Sequence, residues 1–583
     1  MRLAIKVGEE FVDLLPDTAL QLDMNSPLYF GDRDPDILPG TKAYSVNIPL
    51  TSGNRRRLKR PDLLDNYDDF VKNETCIIFY DNEQILEGIA NIVESHSADY
   101  CELQFIGGLS GNLANLKTKK LNELTMGGDR DIGPNQADVI THANDVVANP
   151  DNYDYVFPTV YIDDIANSYD YINHYDDNTF FKYKSISSVD TYSTLVPFPK
   201  VKYVLEQIFL EEGYRLKGIF DYHEHSIELG NIILYNNYTL DDQTVFTDPV
   251  IPSDTEFVTF INLQNHVPET NINTFLKQVA NTFGWAIIIK TKTKDVFIVP
   301  YNDILSASTV INWTNKVENT FLKKAKLDSP PTKFGYAHTE EYFLPTVDNY
   351  PRDLDYWRYN YQGEVERVPD LIFSLIGPVD VYYVQAINTY FRFEAFSPPE
   401  WYYCFKEIAS YGEGINAFLA DSKTLFMRSN PTVDLSLDPY KKLVPFTFDE
   451  IISPLITESD KIKETTFLFW RGLQFAATTS DYYPFASNHV YRAGQFKISD
   501  ANVSLLWIGE YGLYNVWWKN WHTFLQNTRT VIYNTRLTPG DLTNLDWSKK
   551  VRIEKHDYFV KRIQITLTTT DIKPAIVEYA KIN

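Results

Sequence analysis

Near its end the chain runs through a stretch that leaves few folds open. Tyr514, Trp517, Trp518, Trp521, Phe524 and Leu525 stand at i, i+3, i+4, i+7, i+10 and i+11, the spacing of one helix face. A face so rich in tryptophan has to be buried against something large, so this helix is a packing device. Beyond it Val531, Tyr533, Thr535 and Leu537 alternate as in a strand. Thr538-Pro539-Gly540-Asp541 then reads as an N-cap, a proline at the first helical position and an acidic third residue. That short turn would dock Leu542 and Leu545. Two more strands are expected, from Lys550 to Ile553 and from Tyr558 to Leu567, joined by the polar connection Glu554-Lys555-His556-Asp557. Nothing in the stretch has to do chemistry; it is scaffold.

With 583 residues the chain is long enough for about three to five domains. Its net charge of −24 argues against tight binding of duplex nucleic acid, which depends on clustered Lys and Arg neutralising phosphates. The 40 Tyr and 36 Phe suit β-rich cores and broad subunit contacts. Cys76, Cys101 and Cys404 make neither a disulfide framework nor a zinc spacing, and fit synthesis in a reducing compartment. The segment from Met1 to Glu10 lacks the apolar core of a signal peptide, and no run of about 18 apolar residues occurs. Neither a leader nor a membrane span is expected.

Taken in order, residues 1–116 read as a small β domain: an opening strand from Ala4 to Leu14, an extended segment from Tyr44 to Leu50, then strands from Cys76 to Tyr80, Gln84 to Val93 and Tyr100 to Ile106, with a turn at Asp81-Asn82. Between them lies the basic run Asn54-Arg55-Arg56-Arg57-Leu58-Lys59-Arg60. Without interleaved aromatics or a glycine-rich backbone it reads as pairing with acidic neighbours or a neighbouring subunit rather than with a polyanion. Arg55, Arg56, Arg57, Lys59 and Arg60 are therefore interface candidates. Gly107, Gly108 and Gly111 lack the context of a dinucleotide site and read as a junction.

Residues 117–250 read as an irregular insertion, with short strands such as Tyr155 to Tyr161, followed by an α+β lobe. The carboxylates Asp163, Asp164, Asp170, Asp176 and Asp177 lack calcium-loop spacing and read as solvated. Val201, Val204, Leu205, Ile208 and Phe209 stripe a helix closed by Gly213, and a strand-like Tyr214 to Ile219 follows. His223-Glu224-His225 offers two imidazoles without a further ligand nearby, so these histidines read as structural or incidental.

Residues 251–350 form a second α+β lobe and a linker. Ile272, Phe275, Leu276, Val279 and Phe283 stripe a helix ended by Gly284, and a hairpin pairs Trp285 to Lys290 with Asp295 to Val299. One helix-then-hairpin design thus occurs twice and suggests related small α+β lobes, and Ser329-Pro330-Pro331 suggests a connection between the chain's halves. Residues 351–500 are an aromatic-rich β region, with Tyr382-Tyr383-Val384 and Trp401-Tyr402-Tyr403, rings suited either to burial or to stacking on sugars. Residues 501–583 complete a core with the helix and strands described first.

No nucleophile elbow, phosphate-binding loop, metal-ligand spacing or kinase signature is present. Carboxylate pairs for glycoside hydrolysis depend on spatial separation, which 78 Asp and Glu leave open. No catalytic, cofactor-binding or metal residue is assigned, and no enzyme is expected.

Three stretches together resemble a known family: Ser45-Val46-Asn47-Ile48-Pro49-Leu50-Thr51 with Asn54 and Arg55, the unit from Phe275 to Leu305, and the closing stretch from Gly512 to Ile563. They resemble tail proteins of phages and prophages of Bacteroidota. The resemblance implies a tail hub or baseplate subunit, similar in organisation to trimeric hubs whose β-barrel domains form a ring docked on a sixfold tail tube. It implies self-association as a trimer, contacts with the tube and with tail-tip or baseplate proteins, and a place in the virion tail after synthesis in the host cytoplasm. The acidic charge then has a use, since a negative lumen does not hold DNA during ejection. The expected fold is a β-rich, multidomain α+β protein of small β-barrel-like domains with helix-plus-hairpin lobes. Alternatives are a glycan-binding or glycan-cleaving tail-tip protein using residues 351–500, and another virion ring or connector subunit.

Overall fold

The computed structural model describes residues 2–30, 41–63, 73–107, 116–162, 169–242, 256–337, 412, 416–429, 443–447, 463–476, 481–490 and 497–582, apart from gaps of one to three positions inside these stretches; between 365 and 404 it describes strand backbone alone. The fold is β-rich α+β, and among the described residues its largest sheet, of 14 strands, is built mainly from both ends of the chain, with Val310–Asn312 and Lys323–Lys326 added from the middle.

In the N-terminal half of that sheet Leu3–Val7 pairs with Glu74–Tyr80, which pairs with Glu83–His96, which pairs with Tyr100–Gly107, and Val46–Pro49 lies on the last of these. In the C-terminal half Lys550–Ile553 pairs with His556–Thr568, which pairs with Ala575–Lys581, and Arg529–Thr535 lies on the last. Ala19–Asn25 joins the halves, running antiparallel to His556–Thr568 from Ala19↔Thr568 to Asn25↔Arg562. Across this seam Arg562 clasps Asp23, with Nε 2.7 Å from Oδ1. Strict alternation of buried and half-buried residues in Leu3–Val7 and Tyr100–Gly107 gives the sheet one core face, as a period of two requires. Leu3, Ile48, Cys76, Ile78, Ile563 and Val577 sit fully buried in that core.

The strand expected from Ala4 to Leu14 breaks at Gly8, whose φ of 58° folds Glu10–Phe11 back on Lys6 and Val7. Asp81 and Asn82, with φ of 50° and 68°, make the tight hairpin turn read from the sequence.

A second core lies between the helices. All six apolar positions of the stripe from Tyr514 to Leu525 are buried in it, Tyr514–Trp518 as a π-helical turn and Lys519–Asn527 as an α-helix. Trp517 packs edge-on against Trp285, Trp518 against Phe418 and Phe334, and Tyr301 stacks on Trp521. Pro331, in the linker, accepts a hydrogen bond on its carbonyl from His522 Nε2 at 2.8 Å, which ties the connection to this helix. Helices Val201–Glu211 and Ile272–Phe283 bury the stripes read from their spacing. Gly284 closes the second helix with φ 61°, and a Cβ there would come within 3.2 Å of the Trp518 ring.

The two helix-then-strand units do not stand as separate lobes. Arg215–Gly218 runs parallel to Asp295–Pro300, which is antiparallel to Trp285–Lys290, so both units share one three-stranded sheet. Only the second has a hairpin. Helix Gln136–Ala148, unexpected from the sequence, buries Val139, Ala143, Val146 and Val147. In the aromatic-rich region Val365–Val368, Asp380–Val384, Thr389–Glu394 and Glu400–Cys404 form a four-stranded antiparallel sheet. The side chains of Tyr382, Tyr383, Trp401, Tyr402 and Tyr403 lie outside the described residues.

Candidate functional site

The two halves of the large sheet have the same connectivity. In each, a strand is followed by a short helix, then by three successive antiparallel strands, the third returning onto the first. The junction of strand and helix carries the same residues both times: Asn47, Leu50, Thr51, Gly53 and Asn54 in the first half, and Asn534, Leu537, Thr538, Gly540 and Asp541 in the second. Both leucines are buried, and both threonines cap their helix by accepting from the backbone N–H three residues on. The chain therefore contains one barrel-like unit twice.

The copies differ in what holds the junction. In the first, Asn54 is fully buried; its Oδ1 accepts from Asp13 N at 2.8 Å, and its Nδ2 donates to the Asp13 and Pro49 carbonyls at 2.9 and 2.8 Å. In the second, Lys316 Nζ reaches the Asp541 carboxylate at 2.6 Å, and Thr538 N donates to it at 2.8 Å. Burial pushes the Asp541 pKa up, but the hydrogen bonds from Lys316 and Thr538 outweigh it and leave it lowered. Replacing Asn54 by alanine removes all three of these hydrogen bonds, the Pro49 carbonyl alone keeping a second donor in the Thr51 N–H, so a loss of about 1–3 kcal/mol is expected in urea unfolding. Thr538→Ala removes the cap and the hydroxyl's hydrogen bond to an Asp541 carboxylate that Lys316 still holds, and is expected to cost about 1 kcal/mol; equal losses would contradict the assignment.

The basic run occupies this junction in the first copy, on helix Ser52–Arg57 and the turn after it. Arg57 donates to Glu10 at 2.9 Å and to Asp13 at 3.0 Å, and the Thr51 and Arg57 hydrogen bonds hold the Asp13 pKa below the usual carboxylate value. Arg56 stands 3.6 Å from Glu10, Arg55 and Arg60 both 3.4 Å from Asp62, and Lys59 3.0 Å from Glu74. The structure thus sets each of the five interface candidates beside an acid of its own chain. Arg56 keeps the most exposed side chain of the five, at 77%.

The other residues singled out from the sequence lie elsewhere. His223 and His225 flank a turn between helices Ile219–Tyr222 and Ser226–Gly230, with ring centroids 5.2 Å apart and Trp517 packed on both. Burial pushes the His223 pKa down against the pull of Asp303, 3.6 Å away. Among the described residues no group of three or more His, Cys, Asp or Glu is placed to hold a metal. The side chains of Asp163, Asp164, Asp170, Asp176 and Asp177 lie outside the described residues. Burial raises the thiols of Cys76 and Cys101 to about 12, so both are unreactive. No described helix is long and apolar enough to cross a membrane.

The hairpin of the α+β sheet touches both copies. Lys294 Nζ lies 2.7 Å from Glu87 in the first, and Lys290 Nζ 3.3 Å from Asp546 in the second. Both are ion pairs at the ends of one turn, and they tie this hairpin to each of the two units.

No protein-family description and no curated protein matches this chain. Among solved structures, the 43 kDa tail protein of prophage MuSo2 from Shewanella oneidensis aligns over 100% of this chain and 98% of its own at 7% identity, with a TM-score of 0.29. A tail protein from Neisseria meningitidis aligns over 99% and 96% at 9% identity, with a TM-score of 0.27. An E. coli component of the type VI secretion system, described as similar to the T4 bacteriophage tail proteins gp27 and gp5, aligns over 83% and 99% at 8% identity, with a TM-score of 0.19. Superpositions this loose leave the function to the chain's own geometry. The Bacteroidota origin implied by the sequence resemblance finds no support among them.

Proposed function

We propose that the chain is a structural subunit of a phage tail, a hub or baseplate component that docks on the tail tube and connects it to the tail tip. The observation that carries this reading is the duplicated barrel unit, with its repeated Asn-x-x-Leu-Thr-x-Gly-Asn/Asp junction. Three copies of a chain with two like units present six like surfaces, which suits a sixfold tube above and a threefold tip below. In this reading the protein is not an enzyme, binds no nucleic acid tightly, and resides in the virion tail. Function lies in the ring and its docking faces, with the helix of Arg55 to Arg60 as one candidate contact. The domain limits near residues 116, 250, 350 and 500 stand within the same proposal, the first and last domains sharing one sheet. Light scattering on the full chain, across concentration and salt, is expected to give three times 67.5 kDa. A monomer throughout would overturn the self-assembling reading.

A further inference from the structure

Among the described residues the large sheet ends on one side at Lys323–Lys326, which pairs there with Arg529–Thr535 alone. Its free edge is marked in two ways. Phe321 and Leu322, just before it, are 54% and 55% exposed. Lys323, Lys324 and Lys326 are exposed too, and among the described residues none has an ion-pair partner, in a chain whose net charge is −24. An open edge carrying adjacent apolar side chains is a template for another strand unless something covers it.

The duplication points to the strand that fits. In the second barrel unit the far part of His556–Thr568 extends beyond Lys550–Ile553, and that edge is taken by Ala19–Asn25. In the first unit the matching strand Glu83–His96 extends beyond Glu74–Tyr80 in the same way, and among the described residues no strand pairs with that edge from Asn91 to His96. The edge offers Val93, 58% exposed, and Glu94, which faces Glu102 across the ladder. These two carboxylates make the edge acidic, the complement of a lysine-bearing strand.

We propose that the Lys323–Lys326 edge of one copy adds to the Asn91–His96 edge of a second copy, so that the sheet continues from subunit to subunit. This rests on the self-assembling reading above and names its contact. The pairing is head to tail, because each copy offers one edge of each kind, and a head-to-tail contact closes into a ring when its rotation allows. Main-chain hydrogen bonds supply the adhesion. The lysines and carboxylates set partner and register.

The test uses the full chain in two experiments. A Val93→Cys chain co-expressed with a Leu322→Cys chain is expected to give a disulfide-linked dimer on mild oxidation, absent from either variant alone. Light scattering of Lys323→Glu/Lys324→Glu/Lys326→Glu is expected to show association weakened at least about tenfold, and co-expression with Glu94→Lys/Glu102→Lys to restore it. If the wild type associates but neither the cross-link nor the weakening appears, this contact is overturned and the self-assembling reading stands. If the wild type is monomeric throughout, both are overturned. Circular dichroism of each variant separates lost pairing from lost folding, and the charge-swap rescue holds only if the strands meet.

Discussion

Replacing Arg471 by methionine is expected to cost about 3–5 kcal/mol of stability, because it leaves a buried carboxylate without its cation. Arg471, on strand Thr466–Ala476, and Glu228, on helix Ser226–Gly230, are 4% and 8% exposed at their side chains and bonded to each other. Glu228 also accepts from the backbone N–H groups of Asn502 and Val503 at 2.9 and 3.1 Å. The guanidinium donates to the Val503 carbonyl at 2.7 Å and to the His489 carbonyl at 3.3 Å. One ion pair therefore holds a helix, a strand and two loops from distant parts of the chain. Burial pushes the Arg471 pKa down, and the Glu228 carboxylate opposes this. The double variant Arg471→Met/Glu228→Gln removes both charges and keeps an acceptor for the loop, and is expected to recover more than half of the loss. Urea unfolding followed by tryptophan fluorescence reads both. A single-variant loss under about 1 kcal/mol would show that water reaches the pair.

Much of the scaffold is legible in the sequence because its signals are local. The strand from Lys550 to Ile553, the cap at Thr538 and the glycines at 213 and 284 follow from alternation, capping chemistry and the need for positive φ. The helix Gln136–Ala148 escapes such a reading because its Asp, Asn, Thr and His residues favour turns, although Val139, Ala143, Val146 and Val147 keep the helical spacing. The pairing of Ala19–Asn25 with His556–Thr568 has no local signal, since strand partners far apart in the chain leave no mark on either strand. The duplication does leave one. Asn47, Leu50, Thr51 and Gly53 recur as Asn534, Leu537, Thr538 and Gly540, but several hundred intervening residues hide a repeat whose remaining positions answer only to packing. The acidic partners of Arg55 to Arg60 are legible in kind and mostly not in identity, because Asp62 is local to the turn while Glu10, Asp13 and Glu74 are brought to the helix by the fold of the sheet.

Truncating Trp521 to alanine is expected to be as damaging as breaking that ion pair, at about 3–5 kcal/mol. Trp521 is fully buried where Phe30, Tyr301, Phe524 and Phe559 meet, and its Nε1 donates to the Tyr29 carbonyl at 2.8 Å. Tyr29 follows the seam strand Ala19–Asn25, and Phe559 lies on His556–Thr568, so this one indole locks the second core onto the joint between the two barrel units. A finer comparison separates packing from the hydrogen bond. The Trp518 indole N–H, also buried, has no acceptor among the described residues. Trp518→Phe therefore loses contact area alone and is expected to cost less than about 1.5 kcal/mol. Trp521→Phe also removes the hydrogen bond to the Tyr29 carbonyl, and is expected to cost about 1 kcal/mol beyond its packing loss. Because Trp521 both bonds the Tyr29 carbonyl and packs on Phe559, while Trp518 reaches this side through an edge-on contact with the Tyr29 ring, hydrogen exchange in Ala19–Asn25 is expected to quicken more in the Trp521 variant than in the Trp518 variant. Equal exchange in both would mean that the seam is held by its own ladder and the Arg562–Asp23 clasp, with the helix merely resting on it.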